Sequence, residues 1–234
     1  MQLFYNPSLD GSFKQFFFSE AESKHIVRVL RKNPGDTLTI TNGKGYRFEA
    51  EILEANPKKC KAQLIDEVKT IPRLHHLHLA VAPTKMNDRF EWFLEKATEI
   101  GIDEITPILC DHSERKALKE PRLQKVLETA MKQSLQTYLP KLNPLTPLSD
   151  FLKDVEGDLR FIAHCHEGEK MELKRRAAAD KDIVILIGPE GDFSKPEVDH
   201  ALNAGFLPIS LGKNRLRTET AAIVACSTIA MINS

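Results

Sequence analysis

The sequence predicts an α/β protein, with a small N-terminal β domain ahead of a larger domain built on a parallel sheet covered by helices on both faces. Three observations carry this reading. Residues 37–68 alternate apolar and polar side chains around a Gly43-Lys44-Gly45 turn, the period of half-buried strands. From His76 onward short apolar runs alternate with amphipathic helical stretches, the order that lays parallel strands side by side. Ile183-Val184-Ile185-Leu186-Ile187 is an unbroken and mostly β-branched run, as a strand buried on both faces requires.

In the first domain Ser19 and Glu22 have the spacing of a capping box. They open a helix expected to end before Pro34-Gly35. Along it Lys24, Arg28, Arg31 and Lys32 recur on one face, opposite Ile26, Val29 and Leu30. Residues 37–40, 46–52 and 62–65 read as strands of a small barrel. Thr70-Ile71-Pro72 reads as a linker, dividing the chain into domains 1–71 and 72–234. Strand 77–81 then leads to helix 88–100, which has Phe90, Phe93, Leu94 and Ala97 on one face and Gly101 as its stop. Strand 105–109 precedes a helix over about 121–136, and strand 159–163 precedes one around 170–179. After strand 183–187, Ser194 and Glu197 form a second capping box with Pro196 in the first turn. Residues 206–211 lead to a final apolar helix, 220–232, too short for the roughly 20 residues that span a bilayer.

The 33 Lys and Arg balance 33 Asp and Glu, and 41% of residues are hydrophobic. With a mean hydropathy of −0.31, this is a chain with an ordinary core, not one held to nucleic acid by bulk charge. The charge is unevenly spread: residues 24–61 carry nine basic and four acidic side chains, a local excess of +5. Four cysteines stand singly, and the N-terminus lacks the basic and apolar segments of a signal peptide, so a reducing cytoplasm is expected. His75, His76 and His78, and His164 with His166, place ligand-type groups along strands. No cysteine or acid follows at metal spacing, so no metal is expected.

Ligands of parallel sheets bind beyond the carboxyl ends of the strands, which singles out two loops. In Gly188-Pro189-Glu190-Gly191-Asp192-Phe193-Ser194 the glycines permit close approach of backbone to a ligand. The loop matches neither a Walker pattern nor a dinucleotide fingerprint, and a plain strand-to-helix turn is an equal reading. The second loop, 211–221, carries Lys213, Arg215 and Arg217 just before the free N–H groups of a helix N-terminus. There Glu219 is either a first-turn acid or, with Arg217, one half of a site pair. The cationic stripe in the first domain, joined by Lys44 and Arg47, is either a solvated face or a grip on phosphates.

Together, Ile187-Gly188-Pro189-Glu190-Gly191-Asp192-Phe193-Ser194, Leu211-Gly212 and Leu216-Arg217-Thr218-Glu219-Thr220-Ala221 resemble the 16S ribosomal RNA (uracil-N3)-methyltransferases of the SPOUT, or α/β-knot, superfamily. His25 with Val29-Leu30-Arg31, Pro83-Thr84-Lys85 with Arg89, Trp92 and residues 95–101, and Lys132-Gln133-Ser134 fit the same pattern, so the likeness covers almost the whole chain. It implies a PUA-like RNA-binding barrel, a SPOUT domain with a trefoil knot, and S-adenosylmethionine as cofactor. Small-subunit ribosomal RNA as partner, and a homodimer with its active site near the subunit interface, are implied as well. By the same likeness Ile187, Gly188, Pro189, Glu190, Gly191, Leu211, Gly212, Leu216, Arg217, Thr218, Thr220 and Ala221 hold the cofactor, largely through backbone. Methylation at uracil N3 needs loss of a proton. Glu219, or failing it Glu190, is the candidate acceptor, with Arg217 steadying the charge that develops. Lys24, His25, Arg28, Arg31, Lys32, Lys85 and Arg89 are the candidate RNA contacts.

The chain departs from the family pattern at Asp192, where a second glycine is usual, at Arg215, where an aliphatic residue is usual, and at Leu135-Gln136, which replace Gly-Arg. Two other readings are methylation of a different RNA or base, and a non-enzymatic RNA-binding assembly factor.

Overall fold

The computed structural model describes residues 2–12 and 14–234; Met1 and Phe13, both in the expected N-terminal domain, lie outside it. The chain forms two compact units, one running to Pro72 and including Met131–Leu139, the other Arg73–Ala130 with Pro140–Ser234.

In the first unit β1 (Leu3–Tyr5), β2 (Gln15–Phe17), β3 (Thr37–Thr41), β4 (Tyr46–Glu54) and β5 (Lys61–Lys69) form a curled sheet in the order β1-β3-β4-β5-β2. Register shifts in β4–β5 at Glu49/Ala50 and Ile52/Glu54 bend that hairpin. The inward residues Phe4, Phe16, Phe18, Leu38, Ile40, Phe48 and Ile52 pack with Ile26 as one core. The short strands β1 and β2 carried too few residues to show a period.

The expected helix from Ser19 is cut short. Only α1 (Glu20–Lys24) is α-helical; a π-turn, His25–Val29, follows, with Leu30 N–H donating to the His25 carbonyl five residues back. The wider turn rotates Val29 out to 64% exposure, and Arg31, at φ 56°, has already left the helix. Lys24, Arg28, Arg31 and Lys32 therefore do not share one helical face. The capping box is half formed: the Ser19 hydroxyl accepts from Glu22 N–H, while the Glu22 carboxylate pairs with Lys132 at 2.9 Å.

The second unit contains β6 (His76–Val81), α2 (Asn87–Ile100), β7 (Glu104–Leu109), α3 (Glu120–Gln133), β8 (Lys141–Leu142), β9 (Thr146–Pro147) and α4 (Leu148–Asp154). It continues with β10 (Leu159–Ala163), β11 (Met171–Glu172), α5 (Leu173–Arg176), β12 (Asp182–Ile187), α6 (Lys195–Asn203), β13 (Leu207–Ser210) and α7 (Thr218–Ile232). All the strand pairs are parallel, in the order β11-β13-β10-β12-β6-β7-β8, with β9 also on β7. β12 is buried along Ile183–Ile187 as its run of β-branched residues predicts. Val184 and Leu186 join Phe151 of α4 and Val198 and Ala201 of α6 on one face, while α2 and α7 pack together on the other side of β6 and β12.

Two helix expectations change. The helix around 170–179 shrinks to the single turn α5, because Met171 and Glu172 pair with Ile209 and Ser210 as a strand; tertiary pairing overrides the propensity of a Lys/Arg/Ala-rich stretch. α3 stops at Gln133 rather than 136. Leu135 N–H donates to the Lys132 carbonyl and Gln136 N–H to that of Met131, a Schellman closure with Leu135 at φ 60°.

Candidate functional site

β12 lies between β10 and β6, and β13 flanks β10, so the carboxyl ends of β10, β12 and β13 meet at one end of the sheet. There they surround a cavity of about 620 Å³, large enough for a nucleoside-sized ligand. Among the twelve cofactor candidates, all but Gly191 and Thr220 line it. Its two principal loops are clasped to each other: Thr218 Oγ1, at the start of α7, donates to the Gly188 carbonyl at 3.0 Å, and both residues are buried. Gly212 has φ 133°, a conformation that side-chain-bearing residues rarely adopt, and among the described residues beyond its chain neighbours no atom lies within 4 Å of where its Cβ would stand. A Cβ at Gly188 would sit 3.0 Å from the Phe193 ring, tight enough that the ring would have to give way.

The glycine loop is held from outside as well. His112 Nδ1 lies 3.1 and 3.0 Å from the carbonyls of Gly191 and Asp192, to which its N–H can donate. The Asp192 carboxylate accepts from Cys165 N–H at 2.7 Å and from Phe193 N–H at 2.9 Å. The Ser194–Glu197 capping box forms as expected, with Ser194 N–H donating to Glu197 at 2.8 Å and Pro196 in the first turn of α6.

The predicted acid and base residues divide. Arg217 is exposed and lines the cavity. Glu190 also lines it, but its Oε1 accepts from Lys85 N–H at 2.9 Å, tying the loop after β6 to the glycine loop. Glu219 is 8% exposed and does not line the cavity. Its Oε1 is 3.8 Å from Arg89 Nε on α2, and its Oε2 has no hydrogen-bond partner among the described residues. Of the RNA candidates in this unit, Arg89 is thus engaged with Glu219, and the Lys85 ammonium pairs with Glu114 at 2.8 Å. In the first unit Lys24, Arg28 and Arg31 are exposed, whereas His25 is half-buried against Phe4 and lies 2.6 Å from the Gln2 side-chain amide.

Ala163, His164, Cys165 and the nearby Lys170 also line the cavity, and none of them is among the residues expected from the sequence to hold the cofactor. In sequence, His164-Cys165-His166 reads as a weak metal signal or as ordinary strand-end histidines; the rule that ligands sit past strand ends points to it equally well. Lys170 Nζ donates to the His164 carbonyl at 2.8 Å. Burial, reinforced by the Lys170 charge, lowers the His164 pKa to about 4, so its ring is neutral at pH 7. Among the described residues no three His, Cys, Asp or Glu side chains come together as a metal site.

The model of the RNA methyltransferase domain matches residues 72–230, and that of the RNA methyltransferase PUA domain matches residues 18–65. The ribosomal RNA small subunit methyltransferase E of Buchnera aphidicola is 31% identical over 94% of this chain and 89% of its own length. Among solved structures, a probable rRNA-methyltransferase from Porphyromonas gingivalis superposes with a TM-score of 0.93 at 40% identity, covering 100% of this chain and 98% of its own. A putative methyltransferase from Legionella pneumophila, solved in complex with S-adenosylmethionine, superposes with a TM-score of 0.88 at 28% identity, covering 99% and 97%.

Proposed function

The chain belongs to the RNA methyltransferase family, the SPOUT-type 16S ribosomal RNA methyltransferases, and from that premise we propose that it methylates N3 of a uridine in small-subunit ribosomal RNA. The Thr218–Gly188 clasp carries the reading. It draws the loops after β12 and β13 together around the cavity, with Gly212 left open and Arg217 among the lining residues. The carbonyls and amides of 187–189, 211–212 and 216–218 suit an adenosyl ligand, which needs directed hydrogen bonds and an apolar slot. S-adenosylmethionine, when bound there, supplies an electrophilic methyl group on a sulfonium sulfur.

The residues of the chain then have two tasks, alignment and charge. Uracil N3 becomes a nucleophile when its proton leaves. Glu219 lies off the cavity wall and is assigned as acceptor through an intervening water, because among the described residues one oxygen of this buried carboxylate has no partner while Arg89 stands 3.8 Å from the other. Arg217 steadies the negative charge spreading onto the base carbonyls. Glu190 is assigned the support of the loop after β6. The reading includes a homodimer and residence in the cytoplasm.

Unmodified small ribosomal subunits incubated with the protein and S-adenosylmethionine, followed by mass mapping, are expected to gain one methyl on a uridine base. Glu219→Gln and Arg217→Ala are each expected to lower turnover at least tenfold with cofactor affinity retained. A methyl on another base, or on ribose, rejects the N3 assignment; near-normal turnover in both variants rejects the roles given to them.

A further inference from the structure

With the helical stripe dispersed, the basic character of the first unit gathers elsewhere. Ser23 is fully buried; its hydroxyl accepts from Cys60 N–H at 2.9 Å and donates to the Phe18 carbonyl at 3.3 Å. Phe18 N–H in turn donates to the Cys60 carbonyl at 3.0 Å. These bonds fasten the end of α1, the β4–β5 turn and the end of β2 at one point. The outward neighbours of the three joined residues are then brought together: Lys24 beside Ser23, Lys59 and Lys61 on either side of Cys60, and Phe17 beside Phe18.

Strand pleating puts Phe16 and Phe18 in the core and turns Phe17 outward, where it is 46% exposed. Lys59 Nζ stands 4.1 Å from the centre of its ring and Lys61 Nζ 5.9 Å. Glu54 is the register partner of Lys61, yet among the described residues no carboxylate lies within 4 Å of Lys24, Lys59 or Lys61. A core-sized aromatic ring is thus left on the surface among cations that no acid neutralises. An exposed ring covered only by ammonium groups on flexible stems is complementary to an unpaired nucleobase with its flanking phosphates. A duplex, whose bases are already stacked, offers no such surface to it.

We propose that Phe17, Lys24, Lys59 and Lys61 form a stacking platform for single-stranded RNA, the base lying on Phe17 and the lysines meeting phosphates. This rests on the reading of RNA as substrate and adds where the first unit holds it. The lysines over the ring occupy flexible stems and swing to the phosphates when a base takes their place.

The test uses the full chain and fluorescence anisotropy with an unstructured RNA decamer and a duplex of equal length. Phe17→Ala is expected to weaken decamer binding about tenfold or more, and Phe17→Trp to stay within twofold of the unmodified protein. Lys59→Gln with Lys61→Gln is expected to reduce the slope of log affinity against log salt by about 1.4, at about 0.7 per phosphate on a single strand. Decamer binding within twofold for Phe17→Ala overturns the platform, as does a salt slope that the lysine pair leaves unchanged. Should Phe17→Ala fail to fold, the lysine pair and a weakened Phe17→Lys variant, set against Phe17→Trp, decide by the same criteria. A parallel titration with S-adenosylmethionine keeps the two readings apart. If the unmodified protein ignores the cofactor while decamer binding still depends on Phe17, methyl transfer falls and the platform stands.

Discussion

Replacing Thr218 by valine keeps the volume and branching of the side chain and removes one hydroxyl. The Gly188 carbonyl, buried and bonded by that hydroxyl at 3.0 Å, loses its partner in a place where valine gives nothing back. An unsatisfied buried acceptor costs about 1–3 kcal/mol. In a chain of this size each kcal/mol moves the thermal midpoint by about 2–4 °C, so a loss near the middle of that range lowers it by about 4–8 °C. The same bond joins the two loops that line the cavity. A loosened pair must be ordered again on binding, and if the whole cost falls there, S-adenosylmethionine binds about 5- to 150-fold more weakly, at 1.4 kcal/mol per tenfold. Thermal unfolding and titration calorimetry on Thr218→Val and Thr218→Ser measure both effects. Serine keeps the donor and should recover most of the affinity. If valine unfolds within 1 °C of the unmodified protein and binds the cofactor equally well, the clasp does not organise the site.

Leu135→Gly should stabilise the protein by about 1 kcal/mol, because Leu135 adopts a left-handed conformation that costs an L-residue about that much and is 45% exposed; a lower urea midpoint would refute this. Burial of His78 lowers its pKa from the ordinary 6.5 to about 4, so below pH 6.5 the unfolded chain binds a proton that the folded one refuses. Stability is therefore full at pH 7 and falls by up to about 3 kcal/mol as pH drops to 4. His78→Gln, which can still reach Thr106 Oγ1 (2.7 Å from His78 Nε2), should flatten that fall in urea titrations at pH 7 and 4.5, and an unchanged dependence would show that other groups cause it.

The parallel sheet was legible because its strands are buried on both faces, and Ile183–Ile187 has little choice of environment. The cavity loops were legible for a related reason: glycine at 188 and 212 answers a demand made by backbone, close packing in one case and φ in the other. What escaped depended on partners distant in sequence. Nothing near Met171 announces that it will pair with Ile209, so a sequence rich in helix formers reads as helix. The first-unit stripe, by contrast, failed for a local reason. Its spacing was helical, but the Leu30-to-His25 bond inserts an extra residue into the turn and a period of 3.6 no longer applies. Glu219 was correctly placed at the head of a helix, yet which side of that helix meets the cavity is decided by the packing of α7 against α2.

Two of the departures that the resemblance implies follow one physical rule. Asp192 and Leu135 both stand where the pattern carries glycine, and they have φ 66° and 60°. The backbone keeps the glycine conformation at both, and the chain meets the cost differently. Asp192 is of a type that tolerates the left-handed region, and its carboxylate gains two backbone donors, one of them Cys165 N–H just after β10. There the substitution adds a tie between β10 and the glycine loop, so the loop that loses glycine's freedom is held in a single arrangement. Leu135 gains no such bond from its apolar side chain, and at 45% exposure it buries little. A glycine restored at 192 would therefore loosen the cavity even as it relieves the backbone, whereas a glycine restored at 135 only relieves. Opposite consequences from one substitution type separate a left-handed residue that serves the site from one that is merely tolerated.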